Sequence, residues 1–250
     1  MNLPLAGRAA SVCAMARFGQ FCPIAVACEV FAERWTPIIL RELFAGSHRF
    51  NEIHRCIPLI SRALLARRLR DLEAAGILTV QSSGQHHGRE YHLTPAGLEL
   101  RAAIDALGTW GQRWTARVQP HKLDAGLLMW NVRRRIDTAR LPARRVVAEV
   151  SFVGVPAGHR GAKVYWLLLQ RSGVELCLSD PGFEVDLLVA ADLAALTQVW
   201  LGDLTLTDAL RQRKVRLSGP AALVRQFPTW LMLSRFAHVP RPSPAERDAA

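Results

Sequence analysis

The sequence predicts an α+β protein in two parts: a helical N-terminal half with one small hairpin, and a C-terminal half of five strands with covering helices. Three observations carry this. Up to about residue 114, apolar residues recur at helical spacing, interrupted at 77–93 by two short alternating runs around a Gly-containing loop. From Val146 the period changes from helical to alternating, with Gly and Pro turns between the runs. Between them lies a junction that ends on Leu141-Pro142-Ala143-Arg144-Arg145. A length of 250 residues allows one large domain or two ordinary ones. The expected boundaries are a loose N-terminal tail at 1–20, a first domain at 21–117, a helical linker at 118–145, a second domain at 146–238 and a frayed Pro- and charge-rich tail at 239–250.

Ile24 to Ala32 reads as a first helix, and Thr36-Pro37 begins a second that packs Ile39, Leu40, Leu43 and Phe44. Phe50 to Cys56 is a short third helix. Pro58 then breaks the chain, because it disfavours a helical Ile57 and lacks an amide donor. Ser61 is a good N-cap for a helix that runs to Ala75 and stops at Gly76. On this helix Leu65, Leu69 and Leu72 form a core stripe. Ala63, Arg67 and Arg70 fall on the opposite side, and Arg62 projects from the first turn. Such a helix fits a DNA major groove; a merely solvated basic face explains it equally well until the next segment is read.

That segment is a hairpin. Ile77 to Val80 and Glu90 to Leu93 flank a polar loop with Gly84 and Gly88, and Thr94-Pro95 caps a new helix. Helix, turn, helix, hairpin, helix is the order of a winged helix-turn-helix. His86, His87 and Arg89 at the wing suit phosphates or the minor groove, with a solvated loop as the blander reading. Adjacent His86 and His87 alone make a poor metal chelate. Pro95 to Trp114 reads as one long helix whose apolar stripe of Leu100, Ile104, Leu107 and Trp114, widened by Leu98, Ala102 and Trp110, must bury against something. A partner subunit is the first reading and the second domain the alternative.

Asp124 caps a helix from Ala125 to Ile136, with Arg133-Arg134-Arg135 suited to its C-terminal dipole. Strands are expected at 146–153, 163–170, 174–178 and 185–189, with short turns that make three of them antiparallel neighbours. Asp192 caps a helix to Trp200, 204–212 is another, 215–217 a fifth strand, and Gly219-Pro220 starts a last helix to about Phe236. Trp166 and Leu168 share one strand face, Leu176 and Leu178 another, and Trp200, Phe227 and Trp230 lie on the covering helices. These seven are the candidate lining of an apolar ligand pocket; filling a core is the alternative.

Residues 22–114 resemble the HxlR type of bacterial winged-helix transcription regulators. The resemblance is carried by Cys22-Pro23-Ile24, Arg34-Trp35-Thr36, Ile39-Leu40-Arg41-Glu42-Leu43, Arg49-Phe50-Asn51-Glu52-Ile53, Ile60-Ser61, Leu72-Glu73-Ala74-Ala75-Gly76-Ile77, Tyr91 to Gly97 and Trp110-Gly111. It implies a homodimer on a near-palindromic DNA operator, with Ser61 to Arg70 in the groove. About the last hundred residues resemble the sterol-carrier-protein fold through Val185-Asp186-Leu187, Trp200-Leu201-Gly202, Leu206 to Leu210 and Val215 to Leu223. That resemblance implies a five-stranded sheet, covering helices and a tunnel for a lipophilic small molecule. Several HxlR-type proteins use a cysteine at the position of Cys22 to sense oxidants or electrophiles. Positive partial charge at a helix start would favour its thiolate, but an inert packing cysteine is the preferred reading here.

The net charge of +11 is uneven. Residues 1–120 hold 14 Arg against 9 acids, 121–145 hold 7 basic residues against 2 acids, and 146–250 hold 11 against 10. The excess lies where DNA would be contacted. The five cysteines show no Cys-x-x-Cys pair, which fits reduced thiols in a cytoplasm. No apolar run is long enough to span a membrane, and the weak signal-like stretch at 8–16 is read as tail. No nucleophile elbow, phosphate-binding loop or dinucleotide fingerprint is present, and His159 reads as solvated. Neither cofactor nor metal is expected. The sequence therefore reads as a non-enzymatic DNA-binding regulator, as a repressor, with a lipophilic effector in its second domain. The alternative is a lipophile carrier whose winged module serves dimerisation or protein binding.

Overall fold

The computed structural model describes residues 18–83, 88–115, 119–156, 161–243 and 246. The chain divides into two compact units, with the division after Leu107. In the first unit α1 (Pro23–Phe31), α2 (Thr36–Phe44), α3 (Phe50–Cys56) and α4 (Arg62–Ala74) precede β1 (Leu78–Ser83), β2 (Gly88–Leu93), α5 (Pro95–Glu99) and the start of α6 (Arg101–Trp114). Ile39 and Leu40 of α2, Ile53 of α3 and Leu65, Leu69 and Leu72 of α4 build one core. Leu78 and Tyr91 of the hairpin close it, joined by Ile104 of α6. The hairpin is antiparallel, with Leu78 opposite Leu93 and Ser82 opposite Arg89.

The single helix expected from Pro95 to Trp114 is two. Thr94 caps the first by accepting from the Gly97 amide at 3.1 Å, and Leu100 is a C-cap from which α6 restarts. Gly97 sits against the Ile77 carbonyl, where a Cβ would collide, so the backbone itself seats α5 on the hairpin.

The second unit holds the end of α6, a 3-10 turn at Pro120–Lys122 and α7 (Ala125–Arg134). A second 3-10 turn, Thr138–Arg140, leads into the sheet. Its strands are β3 (Val146–Val153), β4 (Val164–Gln170), β5 (Gly173–Cys177), β6 (Leu187–Asp192) and β7 (Val215–Ser218). α8 (Leu193–Leu201) and α9 (Leu206–Arg211) lie between the last two strands, and α10 (Ala221–Trp230) follows. The sheet order is β5-β4-β3-β6-β7. The first three strands pair antiparallel, as short turns require. The fourth leaves the meander and returns beside β3 in parallel, so β3 is central.

One sheet face carries Val146, Ala148, Val150, Phe152, Tyr165, Leu167, Leu169, Leu187, Val189 and Ala191 into a core with α7, α8 and α10. Alternation sends Val147, Glu149, Trp166 and Leu168 to the other face. Asp192 caps α8 by accepting from the Ala195 amide at 2.8 Å, and Asp124 caps α7 at 2.9 Å to Leu127. The last helix ends at Trp230, not near Phe236. Trp230 is fully buried, and Leu231 turns extended to bridge with Ile136. The segment beyond is anchored through residue 241: Val239 is buried, and Arg241 pairs with Asp203 at 2.6 Å and bonds the Thr115 carbonyl. Polar composition at 239–250 hides these two anchors.

Candidate nucleic-acid interface

The turn between α3 and α4 is built from its own residues. The Ile60 amide donates to the Ile57 carbonyl at 3.1 Å, and His54 Nε2 lies 3.1 Å from the Ile60 carbonyl. Ser61 takes an extended backbone and its hydroxyl accepts from the Leu64 amide at 3.2 Å, the cap that starts α4. Leu65, Leu69 and Leu72 turn wholly into the core. Ser61, Arg62, Ala63, Arg67 and Arg70 are all exposed, and Ala63, Arg67 and Arg70 share the face opposite that stripe. A helix with its back locked and a small-and-basic front presents donors without cost to its packing.

The arginines of α4 divide by role. Arg62 is turned towards α3: its Nη2 donates to Asn51 Oδ1 at 2.9 Å and its guanidinium lies 5.0 Å over the Phe50 ring. It is thus held at the mouth of the motif, not along the front of α4. Arg68 faces inward, with only 12% of its side chain exposed, and is clamped by Glu33 and by Asp71 at 3.2 Å. Arg67 and Arg70 point outward.

The hairpin is pinned to the start of α3. The Tyr91 amide donates to the His48 carbonyl at 2.8 Å, and Arg49 bridges to Glu90 at 3.1 Å. The rings of His48 and His92 stack with centroids 4.8 Å apart. The bond from Arg49, then His92, holds the Glu90 carboxyl below its usual range. These partners lie some forty residues apart, and no local pattern announces them. Arg89 is exposed on β2 opposite Ser82. His86 and His87 lie outside the described residues, as does His159.

Cys22 is the N-cap residue of α1, where it makes no cap hydrogen bond of the usual geometry. The amides of Ala25 and Ile24 nonetheless hold its thiol below the ordinary value. Cys22, Cys28, Cys56 and Cys177 are free thiols. Among the described residues no group of three or more His, Cys, Asp or Glu is placed to hold a metal, and no helix is long and apolar enough to cross a membrane.

The seven candidate pocket residues do not come together. Phe227 and Trp230 are buried in the core of the second unit, packed edge-to-face at 6.0 Å, with Leu176 and Trp200 against that core. Trp166 and Leu168 lie on the opposite sheet face, and Leu178 is exposed after β5. A depression of about 270 Å³ lies elsewhere, lined by Asp186, Leu188, Gly219 and their neighbours.

α6 carries exposed Leu107, Trp110 and Trp114, and α5 exposed Leu98. Another face of α6 is used inside the second unit: Gly108 lies against the Phe236 ring, and the Gln112 amide donates to the Leu201 carbonyl at 3.0 Å. Gly and Gln at those positions carry no apolar signal, so the helical stripe missed this contact.

The family model described as HxlR-like helix-turn-helix matches residues 30–119. An HTH-type transcriptional regulator of Mycobacterium tuberculosis is 42% identical over 92 residues, 36% of this chain and 58% of that protein. The match thus spans little more than half the length of that relative. The HTH-type transcriptional regulators YdeP and YvaP of Bacillus subtilis are each 31% identical. The alignments cover 42% of this chain in both cases, with 80% of YdeP and 96% of YvaP. Among solved structures, the reduced form of the transcriptional regulator YodB from B. subtilis is 30% identical, covering 40% of this chain and all of that one, at a TM-score of 0.35. Through its N-terminal winged helix-turn-helix, this chain belongs to the HxlR-like helix-turn-helix family.

Proposed function

We propose that this protein is a sequence-specific DNA-binding transcriptional regulator that acts in the cytoplasm as a homodimer on a near-palindromic operator, as a repressor, under control of a lipophilic effector taken by its C-terminal unit. The observation that carries the DNA reading is α4. Its apolar back is wholly buried, while Ala63, Arg67 and Arg70 are exposed on the opposite front and Ser61 is exposed at its N-cap. Arg62 and the pinned hairpin with Arg89, His86 and His87 then meet the backbone on either side. Exposed Leu98, Leu107 and Trp110 favour a subunit contact through α5 and α6. Two copies would place their recognition helices about 34 Å apart, one turn of duplex.

In this reading residues 21–117 bind DNA, 118–145 link and 146–238 form the effector domain, of sterol-carrier-protein type. A five-stranded sheet with its helices on one face supports that resemblance. The ligand reading draws on Trp230, whose indole N–H is buried without an acceptor in the core. An effector would act only by binding one dimer geometry better than another. Cys22 stands as a secondary sensor candidate, with the inert packing role preferred.

The test is selection of duplexes from a random library on the full chain, then fluorescence anisotropy on the enriched duplex and a scrambled control at low and near-physiological salt. Retained preference at the higher salt, with two chains per duplex, is the expected result. Equal affinities that collapse together as salt rises would leave only counterion-release binding and overturn the reading in favour of a carrier.

A further inference from the structure

The turn that joins α3 to α4 carries an apolar side chain that the fold does not use. Ile57 and Ile60 are buried at 3% and 2% exposure, while Leu59 between them is 86% exposed. The turn is held tightly by the Ile60–Ile57 backbone bond, by His54 against the Ile60 carbonyl and by the Ser61 cap. Pro58 fixes one of its backbone angles. Leu59 therefore projects from a stiff support, two residues before the N-cap of the helix whose front carries Arg67 and Arg70. Among the described residues, the other exposed large apolar side chains of this unit belong to the segment through α1, to Ile38 of α2 and to α5 and α6, away from α4 in the chain.

In a major groove an apolar side chain has one base-specific partner, the C5 methyl of thymine. The N-terminal end of a recognition helix is the part that approaches base edges. We propose that Leu59 is a specificity-determining residue that reads a thymine in each operator half-site through its methyl group. The assignment rests on the DNA-binding reading above. Covering one methyl-sized group is worth about fourfold in affinity.

The experiment uses the full chain and the duplex enriched by selection. Each thymine is replaced singly by deoxyuridine, which removes only the methyl, and binding of wild type and Leu59→Ala is followed by anisotropy. One thymine per half-site is expected whose replacement weakens wild type about fourfold and leaves Leu59→Ala unaffected. Leu59→Ala should unfold at the same temperature as wild type, since nothing packs on the lost atoms, and Arg70→Ala serves as an independent check on groove docking. If wild type and Leu59→Ala respond alike at every thymine, the assignment falls while the DNA reading stands. If selection enriches no duplex, the DNA reading fails first and takes the assignment with it.

Discussion

Arg68 and Arg70 stand two positions apart on one helix, and their removal should have unrelated consequences. Arg68→Ala deletes a side chain that is 12% exposed and leaves Glu33 and Asp71, with 29% and 19% of their side chains exposed, facing an empty site. Breaking a fully buried pair costs about 3–5 kcal/mol and an exposed one under about 1. Two partners that keep some water place the loss at about 2–3 kcal/mol. For a unit of this size that lowers the first unfolding transition by about 10–20 °C. Arg70→Ala should leave that transition in place and reduce the salt dependence of operator binding by about 0.9 in log–log slope, one phosphate contact. Circular dichroism melts and anisotropy titrations over salt measure the two effects on the same preparations. A double-mutant cycle of Arg68→Ala with Glu33→Ala isolates the pair itself. An Arg68→Ala protein that melts like wild type but loses salt dependence would refute the division of roles drawn from burial.

Other consequences follow from single contacts. Ser61→Ala should cost about 1 kcal/mol by removing the cap of α4, read in urea unfolding, whereas Ser61→Asp should restore it. Gly97→Ala forces a Cβ onto the Ile77 carbonyl and should destabilise the first unit by about 2 kcal/mol, with faster amide exchange in β1 and β2. Tyr165 is pushed up to about 12 by burial and then by the Asp124 carboxylate. An unfolded tyrosine ionises near about 10, so the folded state holds this proton more tightly. Its contribution is whole below pH ~10 and is lost as pH rises towards 12. Tyr165→Phe should flatten stability over that window, and tyrosinate absorbance should lose its later phase. Trp110→Glu, on an exposed stretch of α6, should turn the proposed dimer into a monomer by analytical ultracentrifugation without lowering the melting temperature of the monomer; an unchanged dimer would move the interface elsewhere.

The helices and strands of this chain are readable residue by residue because the signals that set them are local. Proline placement, Ser61, Thr94, Asp124 and Asp192 as caps, Gly76 as a stop and the two apolar periods suffice to order nearly every element. They also suffice to put Leu65, Leu69 and Leu72 on the back of α4. What the sequence could not decide is which outward-reading residue is engaged, because that depends on partners far along the chain. Arg68 reads as one more surface arginine until Glu33 arrives beside it, and Arg62 looks free until Asn51 and Phe50 take it. The return of β6 beside β3 in place of a fourth meander strand is likewise a choice of partner, made by packing of both sheet neighbours. The division of Trp166 from Trp230 by the plane of the sheet follows from strand parity and register together. Periodicity reports which face of an element is apolar; only the tertiary structure shows what that face meets, since contact energy resides in pairs and not in single residues.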